Sequence, residues 1–253
     1  MAVSCDIFLG SEEPQNISRP QRSLRTLQEN QVNYNTEHWE TLARLREEAK
    51  KMMKPLEDAH IRSILYGSIA RGDVSNTSDI DVYLPTPPSP TLITATLESA
   101  GIRYTHREII QATPSYAAKA YIYIDELRGY SFPLVPLNPS EEDFTGFAGR
   151  ITYPKLLDDI RVPGVNKDLL FIEPNQNGHT ETPIRGIEGI VAKKLGVDTR
   201  IVLQRQRTLE RRTHVGRTGV YIKRELAPDE SIGTVFNDLA NSDSAIRRRL
   251  RKK

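Results

Sequence analysis

The chain has a single cysteine, Cys5, in 253 residues, so neither an internal disulfide nor a cysteine-ligated zinc site can form. No apolar run approaches the ~20 residues that cross a bilayer. The opening MAVSCDIFLGSEEP lacks a basic start, which reads against a secretory leader. Together these absences point to a cytoplasmic, non-membrane protein. No Walker-type loop, no Gly-x-Ser-x-Gly elbow and no His-Glu-x-x-His pair occurs, which excludes the commonest nucleotide hydrolase, esterase and zinc protease layouts. Internal repeats are absent too.

Charge is present in quantity and unevenly placed. Residues 185–253 carry 17 Lys/Arg against 8 Asp/Glu, whereas residues 1–184 carry 18 against 25. The basic end is suited to a polyanionic partner, the acidic remainder to something else. Residues 1–35 are polar and aperiodic and read as a flexible arm. From Thr36, the residues Trp39, Leu42, Leu45, Ala49, Met52 and Leu56 recur at helical spacing, and Pro55 marks the helix end. IRSILYG and DIDVYL read as strands, with SIAR a turn or short helix between them. PTPPSPT is a loop, TLITATLESAG a helix closed by Gly101, and IRYTHREII a strand. AKAYIYID and GYSFPLVPL pair around ELRG; residues 141–160 lean helical; KDLLFIEP is a strand; NQNGHTETP is a loop. The expected architecture is α/β, with an arm at 1–35, a mixed-sheet domain at 36–183 and a small basic module at 184–253.

The stretch YGSIARGDVSNTSDIDVYL carries the chemistry. On a strand, residues i and i+2 share a face, so Asp79 and Asp81 project together while Ile80 and Val82 enter the core. Two like charges side by side repel, and burying them without a counter-charge is costly. A solvated strand face is one way out. A divalent cation is the other, because carboxylate oxygens suit Mg²⁺ or Mn²⁺ and leave room for substrate phosphates. Gly67 lets backbone approach a phosphate, Ser68 opens the following turn, and Arg71 adds positive charge.

Gly67-Ser68, ten residues, then Asp79-Ile80-Asp81 resembles the signature of the nucleotidyltransferase superfamily, which includes DNA polymerase β and the CCA-adding enzymes. GSIARGDVSNTSDIDV is similar to archaeal CCA-adding and minimal nucleotidyltransferase domains. RVPGVNKDLLFIEP and NGH resemble an archaeal group of uncharacterised nucleotidyltransferases. The resemblance implies a nucleotidyltransferase-fold mixed sheet and transfer of a nucleoside monophosphate from an NTP. It implies metal ions on Asp79 and Asp81, and phosphates on Gly67 and Ser68 with Arg71 beside them. The superfamily adds a third acid on a neighbouring strand, which in CCA-adding enzymes lies in a segment like Gly-x-x-x-Asp-x-Val-Pro. Here GYSFPLVP puts Pro133 at that position. Asp125 is the nearest replacement, and an ordinary turn acid beside Glu126 is an equal reading. Without a third acid, the alternative is a decayed nucleotidyltransferase fold that regulates by binding nucleic acid.

IEGIVAKKLGVDTRIVLQRQ has the layout of a helix-turn-helix. Ile187, Ile190, Val191 and Leu195 hold helical spacing, Ala192 is small at the crossing, Gly196 permits the turn and Val202 anchors the second helix. Arg205 departs from the apolar residue usual there. THVGRTGVYIKREL could add a winged hairpin. Arg200, Arg205, Arg207, Arg211, Arg212 and Arg217 are then expected to line one nucleic-acid surface, with RNA ahead of DNA as partner. A solvated helix face is the other reading. His106 and His179 show no metal spacing.

Overall fold

The computed structural model describes residues 29–216 and 219–251. The first 28 residues of the expected arm, and Arg217, lie outside them. Residues 30–33 are not part of an arm: Asn30–Asn33 forms strand β1.

Helix α1 follows at Thr36–Asp58, where the Asn35 side chain accepts the His38 amide hydrogen at 2.9 Å and caps the first turn. It buries Leu42, Leu45, Ala49, Met52, Met53 and Leu56 on one face and continues three residues past Pro55. Strand β2, Ile64–Tyr66, leads into α2, Ser68–Arg71, and then β3, Ile80–Tyr83. Helix α3 is Pro90–Ser99, β4 His106–Gln111, β5 Lys119–Tyr123 and β6 Arg128–Pro133. The expected helical stretch 141–160 resolves into α4 Pro139–Ala148, β7 Arg150–Thr152 and α5 Tyr153–Leu157. Three short strands come next: β8 Gly164–Val165, β9 Leu170–Asn175 and β10 Gly178–Pro183. Much of NQNGHTETP is therefore strand. The remainder is α6 Glu188–Leu195, α7 Thr199–Val215, β11 Ile222–Glu225, α8 Ile232–Ser242 and α9 Ser244–Leu250. Among the described residues, no helix is long and apolar enough to cross a membrane.

Seven strands form a mixed sheet in the order β11-β4-β5-β6-β3-β2-β7, with β3 and β6 parallel and the other pairs antiparallel. Ile80 and Val82 are fully buried with the α1 stripe, Ile93 and Leu97 of α3, and Val235 and Phe236 of α8 in one apolar cluster. A second, antiparallel sheet runs β1-β10-β9-β8. A separate cluster joins Phe147 of α4 to Val165, Phe171, Val191, Ala192, Ile201 and Val202.

These two clusters divide the chain differently from the expected boundary at 183/184. Helices α6 and α7 are joined by a short turn at left-handed Gly196, and Ile190 is exposed rather than packed. They share an apolar core with the second sheet and α4. The expected wing is instead β11, hydrogen-bonded to β4 at the edge of the seven-stranded sheet. Helix α9 docks there as well. Its Arg249 is buried against buried Glu141 at 2.8 Å and also donates to the Pro136 carbonyl and the Asn138 side chain, both at 2.7 Å.

Candidate active site

Strand β2 delivers the chain to Gly67, whose φ of +91° and ψ of −151° lie in a region open essentially to glycine alone. That conformation turns the backbone sharply into α2, and the Gly67 amide donates to the Gly149 carbonyl at 3.0 Å. Ser68 therefore opens a one-turn helix, with its hydroxyl 3.3 Å from the Ser78 hydroxyl. Antiparallel to β2 runs β3, which presents Asp81 on the face opposite Ile80 and Val82. Asp79 precedes the strand by one residue and is half exposed, 3.9 Å from the Lys167 ammonium. Burial, and then the neighbouring Asp79 charge, push the Asp81 carboxyl up to about 6, with Lys167 opposing. Both acids line a cleft of about 830 Å³ together with Gly67, Ser68, Arg71 and Phe144. Two crowded carboxylates whose nearest ammonium is almost 4 Å away from one of them are hard oxygen donors, which fit Mg²⁺ or Mn²⁺.

Arg71 lines this cleft already paired, whereas Asp125 stands elsewhere than expected. The Arg71 guanidinium is buried and paired: Nε and NH2 donate to Asp73 at 2.9 and 2.8 Å, and NH1 to the Ala148 carbonyl at 2.6 Å. Three of its five N–H donors are taken in this way, which braces the turn. Asp125 closes the β5–β6 hairpin, accepting from the Leu127 and Arg128 amides at 3.0 and 2.9 Å and from the Arg128 guanidinium at 2.8 Å. Those contacts, led by Arg128, hold its carboxyl below the usual range. Arg128 also reaches Glu48 of α1, so this ion cluster sits with Ile80 on the far side of the sheet from Asp81. Pro133 is paired with Lys119 in β6. Opposite Asp81, β6 offers Gly129, and the next residue on that face is Ser131. The nearest acid along that face of the sheet is Glu108 on β4, three strands or about 14 Å away. It is already bound by the Tyr123 hydroxyl at 2.8 Å and Lys223 at 3.1 Å. Among the described residues no trio of acids or histidines is grouped to hold a metal.

Residues 42–148 match the family model of the nucleotidyltransferase domain. The match contains α1 from Leu42 onward, the Gly67-Ser68 turn, both acids and α4, and it supports nucleotidyl transfer as the class of chemistry. No curated protein and no solved structure matches the chain. The closer likeness to CCA-adding enzymes and to an archaeal group therefore rests on the motifs alone.

Beyond the matched stretch, later parts of the chain supply the other wall of the cleft. Gly164 passes so close to α4 that a Cβ there would stand 2.6 Å from the Ala148 backbone, and this crossing brings Asn166, Lys167 and Asp168 to the rim. Helix α7 contributes Arg205, Leu209, Arg212 and Thr213. Of the six arginines expected on one surface, the five on α7 thus split by helical phase. At 100° per residue, Arg200, Arg207 and Arg211 fall within about 40° of one another, while Arg205 and Arg212 lie about 120–140° round the helix. The first three are exposed, and Arg200 pairs with Asp198 at 2.5 Å. The other two face the acids' cleft. Lys167, Asp168 and Phe144 escaped the sequence reading because no spacing singles them out. Only the fold brings residue 167 to residue 79.

Proposed function

We propose that the protein is a metal-dependent nucleotidyltransferase that moves a nucleoside monophosphate from an NTP to an acceptor hydroxyl, with a nucleic acid, RNA ahead of DNA, as the acceptor. The observation that carries this is the pair Asp79 and Asp81 lining one cleft with the Gly67-Ser68 turn, inside a stretch that matches the nucleotidyltransferase domain. Asp79 and Asp81 would hold the divalent cation, which when bound offsets their repulsion and withdraws electrons from the phosphates beside it. Gly67 keeps backbone close to the polyphosphate, and the Ser68 hydroxyl orients it. Tyr66 and Phe144, ring centroids 5.9 Å apart at 70°, close the side of the cleft against water. The acceptor oxygen bonds the α-phosphorus as its proton leaves, and the bond from that phosphorus to the bridging oxygen breaks, releasing pyrophosphate. The exposed face of α7, with Arg200, Arg207 and Arg211, is suited to the acceptor's backbone.

The test is incubation with Mg²⁺, each labelled NTP in turn and an RNA pool. Wild-type protein should give labelled product with at least one NTP, and Asp79→Asn and Asp81→Asn should give none. Product that persists in both variants contradicts the assignment.

One observation favours a second reading. No third acid joins the pair among the described residues, so the domain could hold nucleotide without turnover. In that case NTP with Mg²⁺ raises the melting temperature while no acceptor becomes labelled.

A further inference from the structure

Arg205 and Arg212 line the cleft with no carboxylate partner among the described residues. The Arg205 guanidinium lies over the Phe144 ring, 4.8 Å from its centroid. Its Nε is shut from water and has no hydrogen-bond partner. Burial, and next the charge of Arg212, hold its pKa below the usual arginine value. Two guanidiniums that repel each other, one with an unmet donor, make a seat for an anion rather than a structural brace. Elsewhere in this cleft Arg71 is bound to Asp73, and the exposed Lys167 stands 3.9 Å from Asp79.

We propose that Arg205 and Arg212 hold the β- and γ-phosphates of the nucleotide, so that α7, outside the nucleotidyltransferase domain, supplies the grip expected of Arg71. This rests on the nucleotidyltransferase reading of the same cleft. The polyphosphate tail is favoured over a nucleic-acid backbone by enclosure. The cleft of about 830 Å³ is of small-ligand size, and the pair shares its lining with Ser68 and Asp81. The outward arginines of α7 are the ones exposed to meet a long polyanion. Loss of one charge-assisted contact to a phosphate weakens binding about tenfold to a hundredfold.

The experiment is calorimetric titration of the full chain with inorganic tripolyphosphate, which has no base, sugar or acceptor. A parallel titration uses a twelve-residue oligouridine without a 5′-phosphate. Arg205→Gln and Arg212→Gln are each compared with wild type and with the triple variant Arg200→Gln/Arg207→Gln/Arg211→Gln, after their thermal melts show folded protein. The proposal expects tripolyphosphate affinity to fall about tenfold to a hundredfold in each single variant and to hold in the triple variant. Arg212→Lys, at an exposed position that tolerates substitution, should recover part of the loss. Unchanged tripolyphosphate affinity in both single variants overturns it. So does a loss confined to the oligouridine, which would give the pair to nucleic acid. Failure of the transfer chemistry would look different: tripolyphosphate binding would still depend on the pair, but no NTP would yield labelled product.

Discussion

The two walls of the cleft come from different stretches of the chain and bear opposite charge. Residues 42–148 bring Asp79 and Asp81 on a strand backed by a rigid apolar cluster, and their one arginine in the cleft is cancelled by Asp73. Residues beyond 148 bring Lys167, Arg205 and Arg212, set on a loop and a helix that share a smaller core. The stretch that matches a family therefore holds the groups that would bind metal, while the unpaired arginines suited to phosphate sit where no match extends. A polyphosphate carrying a divalent cation is complementary to both walls at once, which neither wall achieves alone. The lesson is that the charge asymmetry of the sequence is an asymmetry across one site as well as between two parts of the protein.

Several substitutions would break or sharpen that contrast. The largest effect is expected at the acidic wall. Asp79→Asn should cut nucleotidyl transfer by about a thousandfold or more, as loss of a transition-state charge contact does, while the protein stays folded. Steady-state assays and a melting curve on the same sample check both halves. Next comes Arg249→Met, which strands Glu141 in the core. Breaking a buried pair of this kind costs about 3–5 kcal/mol, so urea unfolding should shift strongly. A shift as small as a surface substitution gives would mean that α9 is not part of the main core.

Asp81 supplies a prediction about stability with the opposite sign. Its carboxyl is raised from 3.8 to about 6 in the folded protein, so the charged form is the one the fold disfavours. That cost is absent below pH 3.8, grows as pH rises, and is complete above about pH 6. Asp81→Asn, measured in chelator, should therefore stabilise the protein at pH 8 by about 1–3 kcal/mol and have little effect at pH 4, even as it abolishes transfer. Equal melting shifts at both pH values would mean that the fold, chiefly through burial, does not penalise the Asp81 charge. The smallest effect belongs to the outward face of α7. Removing Arg200, Arg207 and Arg211 together should lower RNA affinity and reduce the salt dependence of binding by about one unit of slope per lost phosphate contact. A filter-binding series across salt concentrations reads this directly.

Much of the frame was legible because its signals were local. Apolar residues at three- and four-residue spacing mark α1, and the alternation from 79 to 83 sets which side chains face the cleft. Gly67 carries a conformation few residues share, so its neighbourhood could be read as a turn. Strands β1, β10 and β11 were not legible. Their sequences NQVN, GHTETP and IKRE have little apolar alternation, and their order comes from pairing with distant partners. Gly178 shows why: a Cβ there would stand 2.0 Å from the Val32 carbonyl oxygen, a contact between residues nearly 150 apart. Asp125 was misplaced because its chemistry is satisfied within its own hairpin, by Arg128 three residues away. Arg71 likewise finds Asp73 two residues on. The split of the α7 arginines was hidden for another reason. Helical phase is visible in the sequence, but which side of α7 meets the cleft depends on how α4 and β8 pack.

The most direct measurement is a crystal structure of the full chain with Mg²⁺ and an NTP analogue that cannot be cleaved between its α- and β-phosphates. The account predicts the α-phosphate and metal at Asp79 and Asp81, with the outer phosphates between Ser68 and the guanidiniums of Arg205 and Arg212. A nucleotide bound away from the two aspartates, or acids turned to bulk solvent with the metal elsewhere, would contradict it.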